Sequence, residues 1–114
     1  MFKTTDPRGY NIACDTDTWN NHIVSGHIEM IDNLQAVKET IENPDAIYTS
    51  SQTPVRNVYF SKASTSTYNL YTKVVVAVDD DNKFGSVVSA WPQPTMSGGI
   101  VDQGGLLYVK AKLR

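Results

Sequence analysis

His22 and His27 are the only histidines in this 114-residue chain, and they stand five residues apart, just after Trp19. An imidazole titrates near pH ~6.5 and can both take and return a proton at neutrality. A pair of them is therefore a candidate general acid and base. On one continuous α-helix, positions five apart diverge by about 140° at 3.6 residues per turn. The two rings converge only if the helix stops between them, and Ser25-Gly26 is a natural stop. The spacing does not match the His-Glu-x-x-His zinc motif. The bland use of the same residues is as two partly exposed histidines at helix ends, and the residue pattern leaves both uses open.

A second group of chemically capable residues falls on extended stretches. Leu70-Tyr-Thr-Lys-Val-Val-Val-Ala-Val78 is nearly continuous in β-branched and aromatic residues and reads as the strongest strand. Side chains alternate faces along a strand. Tyr71, Lys73, Val75 and Ala77 therefore share one face, and Leu70, Thr72, Val74, Val76 and Val78 share the other, the better core face. A lysine is costly to bury unpaired, so Lys73 either snorkels to water or serves an anion. In Ser86-Val-Val-Ser-Ala-Trp91 the same alternation groups Val87, Ser89 and Trp91 against Val88 and Ala90. Ser89 then stands near Lys73 across a hairpin, with Trp91 at the strand end. Tryptophan beside lysine and serine is equipment for stacking a base and holding a phosphate; the competing role for Trp91 is a rim residue of the core. Arg56 offers a planar fork matched to phosphate, with Tyr59 as a nearby hydroxyl donor, although a single arginine on a strand is usually a solvated side chain.

The elements that must position these residues are legible in outline. Residues 1–8 are polar and expected to be loosely ordered. Gly9 to Cys14 reads as a short strand. Asp15-Thr-Asp-Thr18 supplies N-cap candidates for a first helix from about Thr18 to Ser25. Met30, Leu34, Val37 and Ile41, widened by Ile31, form the apolar stripe of a second helix that Asn43-Pro44 ends. Strands are expected over 46–50, 55–60, 70–78, 86–91 (stopped by Pro92 and Pro94) and 106–112. The loop 61–67 and the acidic turn 79–85 join three of them. Ser97-Gly-Gly99 and Gly104-Gly105 bracket a segment expected to be mobile. Helices followed by a run of strands mean an α+β fold: two N-terminal helices packed on one face of a mostly antiparallel sheet of four to six strands, in a single domain spanning 1–114. The other sheet face stays open for a site.

Bulk properties narrow the classes. Net charge is −2, but residues 1–55 hold 3 basic and 8 acidic side chains, whereas 56–114 hold 7 basic and 4 acidic. An anionic partner would be drawn to the second half. The single cysteine, Cys14, permits no disulfide within the chain and no cysteine zinc cluster. No apolar run approaches the ~20 residues that span a membrane, and residues 1–8 lack a signal-peptide core. A cytoplasmic location and no membrane partner are therefore expected. Asp79-Asp80-Asp81 lacks the spaced ligands of a calcium loop, and neither a phosphate-binding glycine loop nor a Gly-x-Ser-x-Gly elbow occurs.

Trp19-Asn-Asn-His22-Ile23, His27-Ile-Glu-Met30, Ile41-Glu-Asn-Pro-Asp-Ala-Ile-Tyr48, Val58-Tyr59-Phe60, Lys73-Val-Val-Val76 and Val87-Val-Ser-Ala-Trp91 run in an order that resembles the phage-type nuclease domains of the barnase–EndoU–colicin–RelE superfamily. The resemblance covers roughly residues 9–112, and the Asn-Pro-Asp-x-Ile-Tyr junction and the paired histidines are its most telling parts. Two departures stand out: Ile28 replaces the family's proline after the second histidine, and Ser89 replaces a common threonine, keeping a hydroxyl. The resemblance implies a metal-independent endoribonuclease with no cofactor. Attack of a ribose 2′-OH on the adjacent phosphate would give a 2′,3′-cyclic phosphate and a free 5′-OH. His22 and His27 would act as base and acid in unassigned order, Lys73 and Arg56 would stabilise the phosphate, and Ser89 and Tyr59 would orient it. Trp91 or Tyr71 would stack a base. Expected partners are RNA, with tRNA among the candidates, and an inhibitor or immunity protein, as for a toxin or a phage-encoded or delivered effector. The alternative is a non-catalytic RNA- or protein-binding module of the same shape.

Overall fold

Extended residues dominate the chain after Pro44, and they assemble with two earlier segments into one sheet. The computed structural model describes residues 1–53, 55–62, 70–99 and 105–110. Among these, strands β1 (Phe2–Thr5), β2 (Asn11–Cys14), β3 (Ala46–Thr49), β4 (Arg56–Ser61), β5 (Tyr71–Asp79), β6 (Phe84–Gln93) and β7 (Leu106–Val109) lie in the order β1-β2-β6-β5-β4-β3-β7. Every neighbouring pair is antiparallel except β2 and β6, which run parallel. The fold is α+β, with more strands than the expected four to six. The expected 61–67 loop lies outside the described residues beyond Lys62, as do the last residues of the expected final strand.

The helices are inserted after the first hairpin rather than leading the chain. Residues 1–8, expected to be loose, instead supply β1, because Phe2 to Thr5 can pair with the free edge of β2. The first helix begins as α1 (Thr16–Thr18), where the Asp15 carboxylate accepts from the Thr18 amide at 2.7 Å. That bond holds the Asp15 carboxyl below its usual range. It continues as a wider π-helical segment, Trp19–Val24, which buries Trp19 and Ile23. A 3-10 turn, Ile28–Met30, leads to α2 (Leu34–Glu42). The apolar stripe of α2 faces inward as its spacing requires, with Val37 and Ile41 fully buried. Ile31, expected to widen that stripe, is 55% exposed, because it falls in the turn between the two helical segments.

Both helices cover one sheet face. Their core joins Trp19, Ile23, Met30, Val37 and Ile41 to Ile12, Ile47, Tyr59, Val74, Val76, Val87 and Ala90. Burying a side chain such as Ile23 contributes roughly 1.5–3 kcal/mol. The opposite face carries a smaller cluster of Val58, Phe60 and Val75, bordered by Tyr48, Tyr71, Val88, Trp91 and Met96. Alternation along β5 is as its sequence requires. Along β6 it is interrupted: Ser89 pairs with Val75, but Val87 pairs with Val76, so Val88 is an extra residue. This bulge sends Val87 into the helix-covered core and Val88 to the open face, the reverse of strict alternation. β6 also runs through Pro92, which pairs with Thr72. Beyond Ser86 that side of β6 has no β2 neighbour, and a proline is tolerated on such an edge.

Candidate active site

Lys73 sits in the middle of the longest open-face ladder, opposite Trp91. It is 8% exposed. Its ammonium nitrogen lies 4.8 Å from the centroid of the Trp91 ring and 5.8 Å from that of Phe60. It donates to the main-chain carbonyl of Ser97 at 3.1 Å. Among the described residues no carboxylate forms an ion pair with it. Burial without a counter-charge pushes its pKa below the ordinary lysine range. Lys73 therefore does not snorkel; it is a desolvated cation held by two rings and a carbonyl.

The carbonyl comes from residues 94–99, which fold back over the open face after β6. Part of the stretch expected to be mobile is thus pinned: Ser51 donates to the Gly98 carbonyl from its amide at 2.9 Å and its hydroxyl at 3.0 Å, and Ser50 and Gly99 form a β-bridge. Residues 100–104 lie outside the described residues. Gly98 has φ +104°, and a Cβ there would fall on the Lys73 ammonium. Only glycine meets both conditions, the left-handed backbone and the close approach.

A cleft of about 160 Å³ lies beside this cation. Its lining includes Arg56, Val58, Lys73, Ser89, Trp91 and Gly98, with Ser50, Gln52 and Thr53 on the β3–β4 side. Four expected site residues therefore share one cavity: Arg56, Lys73, Ser89 and Trp91. Tyr71 lies on the same face in the open-face cluster, with the Lys62 ammonium over its ring at 5.6 Å. A second groove, along β1 and β2, is lined by residues such as Thr5, Ile12 and Phe84 and brings none of the expected site residues together.

His27 reaches this assembly. Its ring stacks on Trp91 with centroids 5.5 Å apart and planes 19° apart. The helical segment ends there: the His27 amide still donates to the Ile23 carbonyl at 2.8 Å, and the chain then turns extended at φ −143°. The expected break near Gly26 thus falls at His27 itself. His22 is exposed in the last turn of the π-helical segment, close enough to Asp15 for its charge to help lower that carboxyl's pKa. Neither histidine is among the residues lining the cleft; His27 meets it through Trp91. One imidazole, not two, is joined to the Lys73–Trp91 pair.

Tyr59 is not brought to the site either. It alternates to the helix-covered face and is fully buried. Its hydroxyl donates to Asp6 at 2.6 Å and accepts from Arg8 at 3.0 Å. Burial and the Asp6 carboxylate hold its pKa far above the usual phenol range. The same carboxylate accepts from the Arg8 and Tyr10 amides, both at 2.9 Å, so the cluster ties the β1–β2 turn to β4.

Sequence reasoning missed the residues that hold the site together, chiefly Gln93 and Gly98. Gln93 carried a usable signal, since it lies two residues beyond Trp91 on a strand and so shares its face. Gly98 carried none, because its role depends on a side chain 25 positions away. Among the described residues no group of three His, Cys, Asp or Glu side chains converges as a metal-ligand set, and no helix is long and apolar enough to cross a membrane. Comparison of the chain with family models, with curated proteins and with solved structures finds no match.

Proposed function

We propose that the open-face cleft binds an RNA phosphodiester and cleaves it by attack of the adjacent 2′-OH, without a metal, giving a 2′,3′-cyclic phosphate and a free 5′-OH. The observation that carries this reading is the buried Lys73 cation, which has no carboxylate partner among the described residues and faces a cleft that also holds Arg56 and Ser89. A buried cation without a counter-charge is costly, and an anionic ligand supplies the missing charge. In the reaction, Lys73 and Arg56 stabilise the charge that grows on the phosphoryl oxygens, and the Ser89 hydroxyl orients them. His27 transfers a proton at the reacting oxygens. The second proton-transfer group is His22 if the exposed turn closes on bound RNA. The family resemblance in the order of the motifs supports the same reading, and so does the basic balance of the second half of the chain. RNA is the proposed substrate, and an inhibitor protein is a proposed partner.

The test is direct. Purified protein incubated with RNA in chelator should yield fragments ending in cyclic phosphate, and His27→Ala should remove that product while the fold persists. Cleavage that vanishes in chelator, or survives in His27→Ala, overturns the reading.

A second reading rests on the absence of both histidines from the cleft lining, with only His27 reaching it, through Trp91. With one imidazole at hand, the same surface serves as a binding module that holds RNA without cutting it. Binding with a steep salt dependence and no cyclic-phosphate product selects it.

A further inference from the structure

The contacts around Lys73 close into a ring. The Lys73 ammonium donates to the Ser97 carbonyl at 3.1 Å. The same carbonyl accepts from the Gln93 side-chain amide at 3.0 Å. The other end of that amide, its oxygen, accepts from the Trp91 indole N–H at 3.0 Å. The indole face, in turn, lies against the Lys73 ammonium. The Gln93 amide also donates to the Thr95 carbonyl at 2.6 Å. One side chain thus fixes the indole and the strap of residues 94–99 at once, using both ends of a primary amide.

We propose that Gln93 is a positioning residue of the cleft, keeping the Ser97 carbonyl satisfied when Lys73 turns from it to a phosphodiester oxygen, and keeping the Trp91 indole in place as it does so. The inference rests on the anion-binding reading of the cleft. Its physical content is a tether. A carbonyl has two lone pairs, and here each has a donor, Lys73 and Gln93. When the ammonium leaves for a ligand, the carbonyl of the exposed Ser97 keeps a protein donor in Gln93, so the strap keeps a tether to β6 that water in the same place would not supply. With Gln93 in place, the strap stays folded and the carbonyl stays bonded. The cation can be transferred to the ligand without unfolding its own cradle. The indole on which His27 stacks is held by the same amide, so Lys73, Trp91 and His27 keep their relation throughout.

Two variants of the full chain separate this role from plain packing. The probe is a 2′-deoxydinucleotide, whose single phosphodiester keeps its charge across the range used and which lacks the hydroxyl needed for cleavage. Gln93→Leu keeps the bulk and removes both hydrogen-bonding ends; it should bind the probe about tenfold more weakly while its melting temperature stays near that of the wild type. Gln93→Glu can still accept from the indole, but when ionised it cannot donate to Ser97. Its binding should be at least tenfold weaker at pH 7 and recover towards wild type at pH 4, where a carboxyl of ordinary pKa, about 4.3, regains a proton to donate. The ionised carboxylate also repels the anionic probe, so the pH profile reports charge as well as donation, and the neutral Gln93→Leu isolates the loss of the hydrogen bonds. Gln93→Leu binding within twofold of wild type, or Gln93→Glu binding that does not change with pH, overturns the assignment. Wild-type protein that binds the deoxy probe but leaves the corresponding ribodinucleotide intact overturns the nuclease reading and leaves Gln93 its role. Wild-type protein that does not bind the probe overturns both.

Discussion

Lys73 and Trp91 face each other directly across β5 and β6, with the ammonium 4.8 Å from the indole centroid. A desolvated cation–π contact of this kind contributes about 2 kcal/mol. Burial opposes it, and lowers the lysine's pKa by disfavouring the charged form. The consequence for stability has a definite sign. Between the lowered folded value and the unfolded value of about 10.4, the unfolded chain binds more protons than the folded one, so stability rises with pH in that window. Below it the cost of the buried charge is fully present. Lys73→Met, which removes the charge and the terminal nitrogen while keeping most of the chain's bulk, should therefore be more stable than wild type at pH 7 by roughly 1 kcal/mol. The gap should close as pH approaches 10.5. Thermal unfolding at a series of pH values reads both effects, and a variant less stable than wild type at neutrality contradicts them.

The two histidines should behave differently on mutation. His27 stacks on Trp91, whereas His22 stands exposed beside Asp15. Loss of a proton-transfer group costs about 10²–10⁴ in rate. His27→Ala should show a loss of that size in RNA cleavage. His22→Ala should show the same only if the turn carrying it closes on RNA, and should otherwise stay within a few-fold of wild type. Initial rates on one RNA substrate, for both variants, decide between one and two working imidazoles.

Tyr59→Phe should weaken the fold and spare the site. The mutation removes the donor that the buried Asp6 carboxylate receives from the phenol, while Arg8 and two amides remain. A hydrogen bond to a charged group contributes about 1.5–3 kcal/mol. Denaturant unfolding should report that loss, with RNA cleavage measured well below the unfolding transition unchanged. A cleavage defect without a stability defect would return Tyr59 to the site.

Gly98→Ala should act on Lys73 rather than on the strap alone. The backbone there is left-handed, which costs a non-glycine residue about 1–2 kcal/mol, and the new methyl group would occupy the place of the ammonium. Stability should fall by at least that amount, and phosphodiester binding should fall with it. Combining it with Lys73→Met should cost less than the two separate effects imply, because the collision is gone. Additive losses would show that the strap, not the lysine, takes the strain.

Period-two alternation placed Lys73 on the open face, and heptad-like spacing turned Val37 and Ile41 inward. The same rules failed at Val87 and Val88, where the bulge in β6 swaps their faces. Nothing in Ser86 to Trp91 marks the extra residue, since a bulge is fixed by what the partner strand and the covering helix require. Tyr59 was misplaced for a simpler reason. It lies one position from Val58 and Phe60, and so on the opposite face, with Asp6 and Arg8 waiting there from the first hairpin.

By itself the sequence determined what local rules can carry: the α+β class, most of the helix and strand segments, and the inward and outward faces of β5. Those follow from the fixed geometric periods of helix and strand, which act over a few residues. Tertiary structure alone decided that residues 2–5 close the sheet edge, that His27 rather than His22 meets Trp91, and that Ser97, Gly98 and Gln93 enclose the lysine. Each of these joins residues whose pairing depends on where separate elements come to lie, and a local pattern holds no record of that.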